Sequence, residues 1–252
     1  ALSSAASDVY KRQHVNAPDY ALQNGLSLED AARRLRYKEL FAYAAEAGCD
    51  YIVTAHQADD QAETVLMQLM RGSGTSGLGG MQTASGKLLR PFLFVRRTEI
   101  EAYCQERGLR FCNDSTNDDV RYTRNRIRKE LLPYLGKSFN PNIITALGNT
   151  AQLARADNDF AAYHAQVFYN QNVKANGKML ECQTEALKTE FAAVSRRVVR
   201  MMWEKMAARG SELGFEHVEA VLGLLKNGSS GKILALPGKT AAAYFYKRQC
   251  FT

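Results

Sequence analysis

The sequence predicts an α/β protein in which a parallel sheet covered by helices is followed by a mostly α-helical domain. A helical pattern that starts at Ser27 leads into a short apolar run at residues 50–55, and a second helical pattern follows at about 60–70. Helix, strand and helix joined by short connections are typical of a parallel sheet with helices on its faces. After about residue 136 the apolar residues instead recur at helical spacing over long stretches.

The individual elements follow from local signals. Ser27 can cap the first helix, with Asp30 three residues later, and Gly48 can end it after Ala47. In the second helix, Ala62, Val65, Leu66, Leu69 and Met70 are predicted to form one apolar face. Further on we expect a glycine-rich stretch (72–80), an edge strand (87–91), a helix (98–107), a strand (109–111), a polar loop (113–119) and an Arg-rich helix ending near 135.

The chain is predicted to contain two domains. A boundary at about 136–140 separates residues 14–137 from a helical domain, 138–252, which ends in a hairpin of residues 232–236 and 241–246. Residues 1–13 show no periodicity, and residues 8–13 read like a translated sequencing adapter. We therefore expect residues 1–13 to be a non-native leader.

Composition narrows the possible functions. The chain has 252 residues and a formal net charge of +7, which favours polyanionic partners such as RNA. Its five cysteines are scattered without a C-x-x-C pair, which argues against a disulfide framework, a zinc site or an iron–sulfur cluster. Reduced thiols predict a cytoplasmic protein, and no apolar stretch approaches the roughly 18 residues of a membrane helix.

The turn between the predicted strand and the second helix carries the strongest chemical signal. Ligands of open parallel sheets bind beyond the carboxyl ends of the strands, where His56, Asp59 and Asp60 lie. Asp60 and Glu63 are three residues apart, so both are predicted to face a crevice, where they suit an ammonium group or hydrated Mg²⁺. The alternatives are helix capping for the two aspartates and a structural hydrogen bond for His56.

Basic residues form a second candidate site. Arg121, Arg124 and Arg128 fall on one row of the predicted Arg-rich helix and suit phosphate contact with a nucleotide or RNA, or else form a solvated face. Arg36 on the first helix is equally open to either interpretation. The glycine-rich stretch matches neither a P-loop nor a dinucleotide-binding motif, so it either lets the backbone approach a ligand or forms a flexible connector.

Taken in order, these stretches resemble the tRNA(Ile)-lysidine synthetases, which belong to the PP-loop ATP pyrophosphatase superfamily. The runs that carry the resemblance are residues 28–37 (LEDAARRLRY), 54–64 (TAHQADDQAET), 71–74 (RGSG), 90–93 (RPFL), 114–117 (DSTN) and 124–128 (RNRIR). The resemblance spans roughly residues 14–135 and continues weakly beyond. It implies a partial Rossmann-like, adenine nucleotide α-hydrolase-like sheet.

The chain departs from the family pattern in two ways. The family's Ser-Gly-Gly-x-Asp-Ser phosphate loop does not occur in the sequence, and Gln57 stands where the family usually has a second histidine. We therefore expect a domain truncated at its amino terminus and no ligase activity from these 252 residues alone.

The resemblance implies a carbon–nitrogen ligase that joins free L-lysine to the wobble cytidine in the anticodon region of an isoleucine tRNA, with ATP and Mg²⁺. It assigns Asp60, Glu63 and Arg36 to lysine. It places His56 and Asp59 near the nucleotide or magnesium, and it assigns Arg124 and Arg128 to ATP phosphate or the RNA backbone. No residue is predicted as a resident metal ligand. The helical domain is expected to hold tRNA, and a second copy of the chain is also considered as a partner.

Three alternatives remain. A tRNA-thiolating PP-loop ligase is the nearest, although its cysteine-dependent forms need a C-x-x-C pair. A metal-dependent hydrolase would need more histidines near His56 than the sequence offers. A non-catalytic tRNA-binding fragment is favoured by the missing phosphate loop.

Overall fold

The computed structural model describes residues 14–109, 122–208, 210–227, 230–245 and 248–251. The chain forms two compact units, one of Ala1–Gln61 and Met81–Asp114, the other of Ala62–Gly80 and Ser115–Thr252. The chain passes between these units after Gln61, after Gly80 and after Asp114, and the predicted domain division at 137/138 stays a prediction. The predicted leader, Arg121, the loop at 113–119 and most of the strand at 109–111 lie outside the described residues.

The first unit contains a small sheet with helices. Its elements are α1 (Ala17–Asn24), α2 (Leu28–Glu46), β1 (Ile52–Val53), the start of α3 (Ala58–Met70), β2 (Ala84–Ser85), β3 (Leu88–Leu89) and α5 (Arg97–Glu106). The strand order is β1-β3-β2, and β1 pairs with β3 in parallel, with Ile52 opposite Leu88. The predicted α/β class with a parallel strand pair is therefore confirmed.

Helix α2 forms where its capping residues predict. The Ser27 hydroxyl accepts a hydrogen bond from the Asp30 N–H (3.1 Å) at the amino end. At the other end Gly48 takes a positive φ of 67°, and the Cys49 N–H donates to the Ala44 carbonyl (2.8 Å), a Schellman arrangement. Ala44 then packs against Ile52 and Leu88, so the end of α2 is fixed on the sheet.

Two details of the predicted elements are wrong. Strand β3 is not an edge strand, because it lies between β1 and β2. On α3, Ala62, Val65 and Leu66 are buried, but Leu69 and Met70 are more than half exposed. Apolar residues at helical spacing are all buried only if the element that packs against them extends along the whole helix. On α3 burial stops one turn before the end of the helix.

The second unit is mostly helical and ends in an antiparallel sheet. Its elements are the rest of α3, α4 (Thr75–Leu78), α6 (Thr123–Arg126), a π-helical segment (Ile127–Leu131), α7 (Leu132–Ser138), α8 (Ile143–Asn172), β4 (Val173–Asn176), β5 (Met179–Gln183), α9 (Thr184–Thr189), α10 (Ala192–Met206), α11 (Phe215–Asn227), β6 (Lys232–Leu236), β7 (Thr240–Phe245) and β8 (Arg248–Phe251). The strand order is β4-β5-β8-β7-β6. The predicted hairpin is confirmed as β6 and β7, and β8 extends it.

The core of the second unit joins α8, α10 and α11 to this sheet. Val198, Val199 and Met202 of α10 are fully buried, as is Val221 of α11. Trp203 belongs to the same cluster, and its indole N–H donates to the Pro237 carbonyl (3.0 Å) in the hairpin turn. Among the described helices, none is both long and apolar enough to cross a membrane.

Candidate functional site

The predicted polar turn lies directly after the parallel strand β1. Strand β1 ends at Val53 and α3 begins at Ala58, so His56 falls in the connection between them. The His56 Nδ1 atom is hydrogen-bonded to the Thr54 hydroxyl (2.9 Å), which fixes the orientation of the ring. This is the carboxyl end of a parallel strand, where open α/β sheets bind ligands.

The two aspartates of this turn each act at a helix amino terminus. The Asp60 carboxylate accepts a hydrogen bond from the Gln57 N–H (3.1 Å), which is the return half of a capping box on α3. The Asp59 carboxylate accepts from the Arg97 N–H (2.8 Å) at the first residue of α5, with the Arg96 Nε atom 3.6 Å away. The capping interpretation therefore describes contacts that both residues make, while both side chains remain partly exposed.

Glu63 does not face outward, and this part of the prediction is wrong. Its side chain has 0% exposure, and its partners are two arginines 61 and 65 residues further along the chain. A carboxylate can be fully buried only where opposite charges and hydrogen bonds replace water. Spacing on α3 gives no information about partners so distant in sequence, so it predicted the wrong environment for this residue.

Arg124 and Arg128 reach Glu63 from the region where α6 changes into the π-helical segment. The Arg124 Nε atom donates to Glu63 Oε2 (2.7 Å). Arg128 donates from Nε to Oε1 (2.5 Å) and from Nη2 to Oε2 (3.1 Å), which is a bidentate pair. Two residues of the predicted basic row, Arg124 and Arg128, are thus paired with one buried carboxylate, and the π-helical turns found in proteins often occur at functional sites.

The structure divides the predicted site residues between the two units. His56, Asp59 and Asp60 belong to the first unit, as does Arg36, whose side chain is exposed on α2. Glu63, Arg124 and Arg128 form a cluster in the second unit. The ligand-binding roles predicted for these seven residues stay predictions.

The glycine-rich stretch forms a defined structure. Within it, α4 is a short helix in which a Cβ on Gly77 would come within 2.5 Å of the Ser73 Cβ. Arg155 of α8 donates to the carbonyl oxygens of Gly79 and Gly80, so the stretch is attached to α8 inside the second unit. These contacts hold the stretch in place, which does not fit the flexible connector, and its approach to a ligand stays a prediction.

Two buried polar residues were not singled out from the sequence. The Gln61 side chain is 6% exposed and pairs with the Met81 backbone, accepting from its N–H (2.8 Å) and donating to its carbonyl (3.2 Å). Arg90 is 7% exposed and donates from Nη1 to the Gln82 carbonyl (2.7 Å). Both bind backbone of the 81–83 segment. Each lies in a run that carries the family resemblance, Gln61 in residues 54–64 and Arg90 in residues 90–93, and this position is the signal that could have drawn attention to them.

The described residues offer no ready-made metal centre. No group of three or more His, Cys, Asp and Glu side chains is arranged to hold a metal ion within the described part of the chain. Cys49, Cys104 and Cys182 are free thiols there. The side chains of Cys112 and Cys250 lie outside the described set.

An open groove of about 440 Å³ lies along the π-helical segment. Its lining residues are Met70, Thr123, Arg126, Ile127, Glu130, Leu131 and Tyr134. The cluster residues Glu63, Arg124 and Arg128 are not among them, so this groove is lined by other residues than those predicted to bind a ligand. We assign no role to the groove.

Comparison with protein families shows the class of domain that the first part of the chain forms. Residues 5–135 match the protein-family model of the PP-loop domain, which is about half of the chain. This match begins before α1 and ends within α7, so it includes the strand-end turn and the arginine cluster. The first part of the chain is therefore a Rossmann-like PP-loop domain.

Individual relatives show the family to which the chain belongs within this class. The chain is 35% identical over 92% of its length to the tRNA(Ile)-lysidine synthase of Caldanaerobacter subterraneus subsp. tengcongensis, and 38% identical over 90% to that of Geobacter sulfurreducens. It is 35% identical over 85% of its length to the tRNA(Ile)-lysidine synthase of a Nostoc species and covers 67% of that protein. The chain belongs to the tRNA(Ile)-lysidine synthase family. It spans about half the length of the first two relatives, 49% and 48%.

Proposed function

We propose that this chain supplies the ligase part of a tRNA(Ile)-lysidine synthase, which joins lysine to a cytidine of an isoleucine tRNA at the expense of ATP. The observation that carries the proposal is the similarity to such synthases, which extends over about nine tenths of the chain and through the PP-loop domain. The polar turn lies at the carboxyl end of a parallel strand, which is the edge of an open sheet where ligands bind.

The proposed reaction has two steps. In the first, the ring carbonyl oxygen of the cytidine attacks the α-phosphorus of ATP, an O–P bond forms, and pyrophosphate leaves. In the second, the ε-amine of lysine attacks the activated ring carbon, and the carbon–oxygen bond breaks to release AMP. Activation is needed because an unmodified carbonyl oxygen is a poor leaving group. Orientation of the reactants and neutralisation of phosphate charge would lower both barriers.

We propose that Asp60 and Arg36 bind lysine, Asp60 through its ammonium group, and that His56 and Asp59 lie beside the nucleotide. Asp60 and Asp59 each use an oxygen for helix capping, and a carboxylate has further acceptor capacity for a ligand. Arg124 and Arg128 are proposed to bind phosphate. Glu63 was predicted to share the lysine ammonium with Asp60, but its full burial against two guanidinium groups disfavours that role.

The partners of the proposed reaction are ATP, free L-lysine and the anticodon region of the tRNA. Residues 138–252 are proposed to hold the tRNA, and the net charge of +7 supports a polyanionic partner. We also propose a cytoplasmic location, a homodimer and a requirement for Mg²⁺. The described residues supply no metal ligand set, so no step of the reaction is assigned to a protein-bound ion.

The alternatives are less well supported. A cysteine-dependent thiolating ligase would need a C-x-x-C pair, which the sequence lacks. A metal-dependent hydrolase would need a ligand cluster, which the described residues do not form. A tRNA-binding protein without catalysis makes a distinct prediction, because it would bind tRNA but consume no ATP.

The proposal is tested by incubating the protein expressed from its native gene with ATP, radiolabelled lysine and an isoleucine tRNA transcript. We expect label in the tRNA, with one AMP and one pyrophosphate released for each lysine. A transcript with uridine at the wobble position is the control and should remain unlabelled. If the protein binds the tRNA tightly but neither incorporates lysine nor releases pyrophosphate, the non-catalytic alternative replaces this one.

A further inference from the structure

The long helix α8 of the second unit presents a row of apolar side chains to solvent. Leu153, Phe160 and Tyr163 are 69%, 68% and 67% exposed, and Val167 is 36% exposed. Ala156 is exposed as well. These five residues, which we call the outer row, extend over about 21 Å of the helix. Single exposed apolar residues are normal on a protein surface, whereas a continuous row of them indicates an interaction surface.

The spacing of the outer row is that of a coiled-coil seam. Counting from Leu153, the other four residues follow at intervals of three, four, three and four. This is the a/d repeat of a heptad, with Leu153, Phe160 and Val167 at the a positions and the other two at d. A row with this period keeps facing one neighbouring helix along its length, because its residues insert between those of the partner. The outer row therefore predicts a helix as its partner.

The outer row is separate from the residues that α8 contributes to the core of its own unit. The buried residues of the helix are Ala151, Ala161, Ala165, Phe168 and Tyr169. They fall at the b, c and f positions of the same heptad, which lie on the side of the helix opposite a and d. Helix α8 therefore has two apolar sides, of which one packs into the core and the other stays exposed.

The residues beside the outer row do not suit a nucleic acid. Asp157 and Asp159 are exposed there, at e and g positions, and residues 156–172 contain neither lysine nor arginine. A phosphate backbone would therefore meet negative charge. His164 is exposed at the next e position, with its ring centroid 4.4 Å from that of Phe160, and an imidazole N–H can donate to a carboxylate. The borders of the row thus carry both acceptors and a donor.

We propose that the outer row is a dimer interface, on which a second copy of the chain packs its own α8 in antiparallel orientation. This inference rests on the homodimer proposed above and is independent of the ligase reaction. In an antiparallel pair of helices, an a residue lies opposite a d residue of the partner. Phe160 of one copy then packs against Tyr163 of the other on both sides of the two-fold axis, and Ala156 lies opposite Val167.

Two properties of the row favour the antiparallel orientation. Asp157 of one copy then faces His164 of the other, and the two-fold axis forms this pair twice. On the opposite border Asp159 faces Gln166, whose amide can donate to the carboxylate. In a parallel pair each residue of the row would face its own copy, so that Ala156 opposite Ala156 would leave a gap beside the large Phe160 pair. The antiparallel pair distributes side-chain volume more evenly, as close packing requires.

The interface is tested by sedimentation equilibrium of the protein expressed from its native gene, which measures the dissociation constant of the dimer. Phe160→Glu should weaken the dimer about hundredfold or more, because it places a charge in the centre of the interface in both copies. Phe160 is exposed in the single chain, so this variant should keep its fold, which circular dichroism checks. The matched control is Phe191→Glu, since Phe191 is 82% exposed in the same unit but lies outside α8, and it should leave the constant unchanged.

A charge exchange tests the orientation of the two helices. His164→Asp places like charges opposite each other twice and should weaken the dimer about fivefold. In the antiparallel pair the second substitution Asp157→Lys should restore the affinity, whereas in a parallel pair Asp159→Lys would restore it instead.

The proposal is overturned if the unsubstituted protein is a monomer, or if the Phe160→Glu variant dimerises as tightly as the unsubstituted protein. It is also overturned if Asp159→Lys restores the affinity lost in His164→Asp and Asp157→Lys does not, or if neither does. A monomer in which the outer row is protected from hydrogen exchange would show that another segment of the same chain covers it. Absence of lysine ligation by a protein that dimerises through the outer row would refute the proposed function but not this interface.

Discussion

At the scale of single residues, burial distinguishes acidic side chains that look equivalent in the sequence. Asp60 and Glu63 are three residues apart on α3, yet Asp60 is partly exposed at the helix start and Glu63 is fully buried against Arg124 and Arg128. A partly exposed carboxylate can bind a cationic ligand, whereas a buried carboxylate that pairs with two arginines neutralises their charge. The two residues should therefore respond differently to loss of charge.

Replacing Asp60 by Asn should raise the apparent KM for lysine by about tenfold or more, because an amide cannot offset the ammonium charge. Steady-state kinetics with lysine as the varied substrate measures this effect. Asp30→Asn is the matched control, since Asp30 occupies the same third position of α2, where its N–H donates to Ser27. Equal KM values for the Asp60→Asn variant and the unsubstituted protein would remove Asp60 from the lysine site.

Cys182 should be inert towards thiol reagents at neutral pH. It is 2% exposed, and burial raises the pKa of its thiol to about 12, so the reactive thiolate is scarce. Cys49 is exposed and provides the internal comparison. Peptide mapping after brief alkylation should find Cys49 modified and Cys182 unmodified, whereas comparable labelling of both would contradict the buried position of Cys182.

The same shift makes stability depend on pH in a defined window. The folded-state pKa of Cys182 lies above the ordinary value of 9.0, so ionisation favours the unfolded chain as pH rises from about 9 towards 12, and has no effect below about 9. Denaturant titrations should show the unsubstituted protein losing more stability than Cys182→Ala over this alkaline window. Parallel curves for the two proteins would contradict the prediction.

At the scale of secondary-structure elements, local capping residues set the limits of a helix, whereas pairing with residues distant in the sequence sets the arrangement of its side chains. Helix α2 starts and ends at residues that carry their own signals, Ser27 and Gly48, so its limits could be predicted from sequence. The π-helical segment at Ile127–Leu131 carries no comparable signal. Arg128 of this segment and Arg124 of α6 both pair with Glu63, which is far away in the chain, and local periodicity cannot reveal such a partner.

The capping of α2 can be tested by stability measurements. Ser27→Ala removes the acceptor for the Asp30 N–H and should lower the free energy of unfolding by about 1 kcal/mol. Ser27→Gly is the control, because glycine at an N-cap costs only a few tenths of a kcal/mol relative to serine. If alanine and glycine destabilise the protein equally little, the Ser27 hydroxyl does not cap this helix.

At the scale of the whole molecule, the sequence supported the fold class better than it supported the site. The α/β class with a parallel sheet and the terminal hairpin were predictable, since helical periodicity, turns and capping residues act over short distances. The central position of β3 and the burial of Glu63 were not, because each depends on a partner chosen by the tertiary fold. The parts that sequence could not predict are therefore the ones set by long-range contacts.

The proposed joining of lysine to a tRNA cytidine can be checked by the mass of the wobble nucleoside. The protein expressed from its native gene is incubated with ATP, lysine and an isoleucine tRNA transcript, and the tRNA is then digested to nucleosides for mass spectrometry. We predict that the wobble cytidine gains the mass of one lysine less one water, and that it does so only when ATP is present. An unchanged cytidine, with ATP and tRNA both bound by the protein, would contradict it.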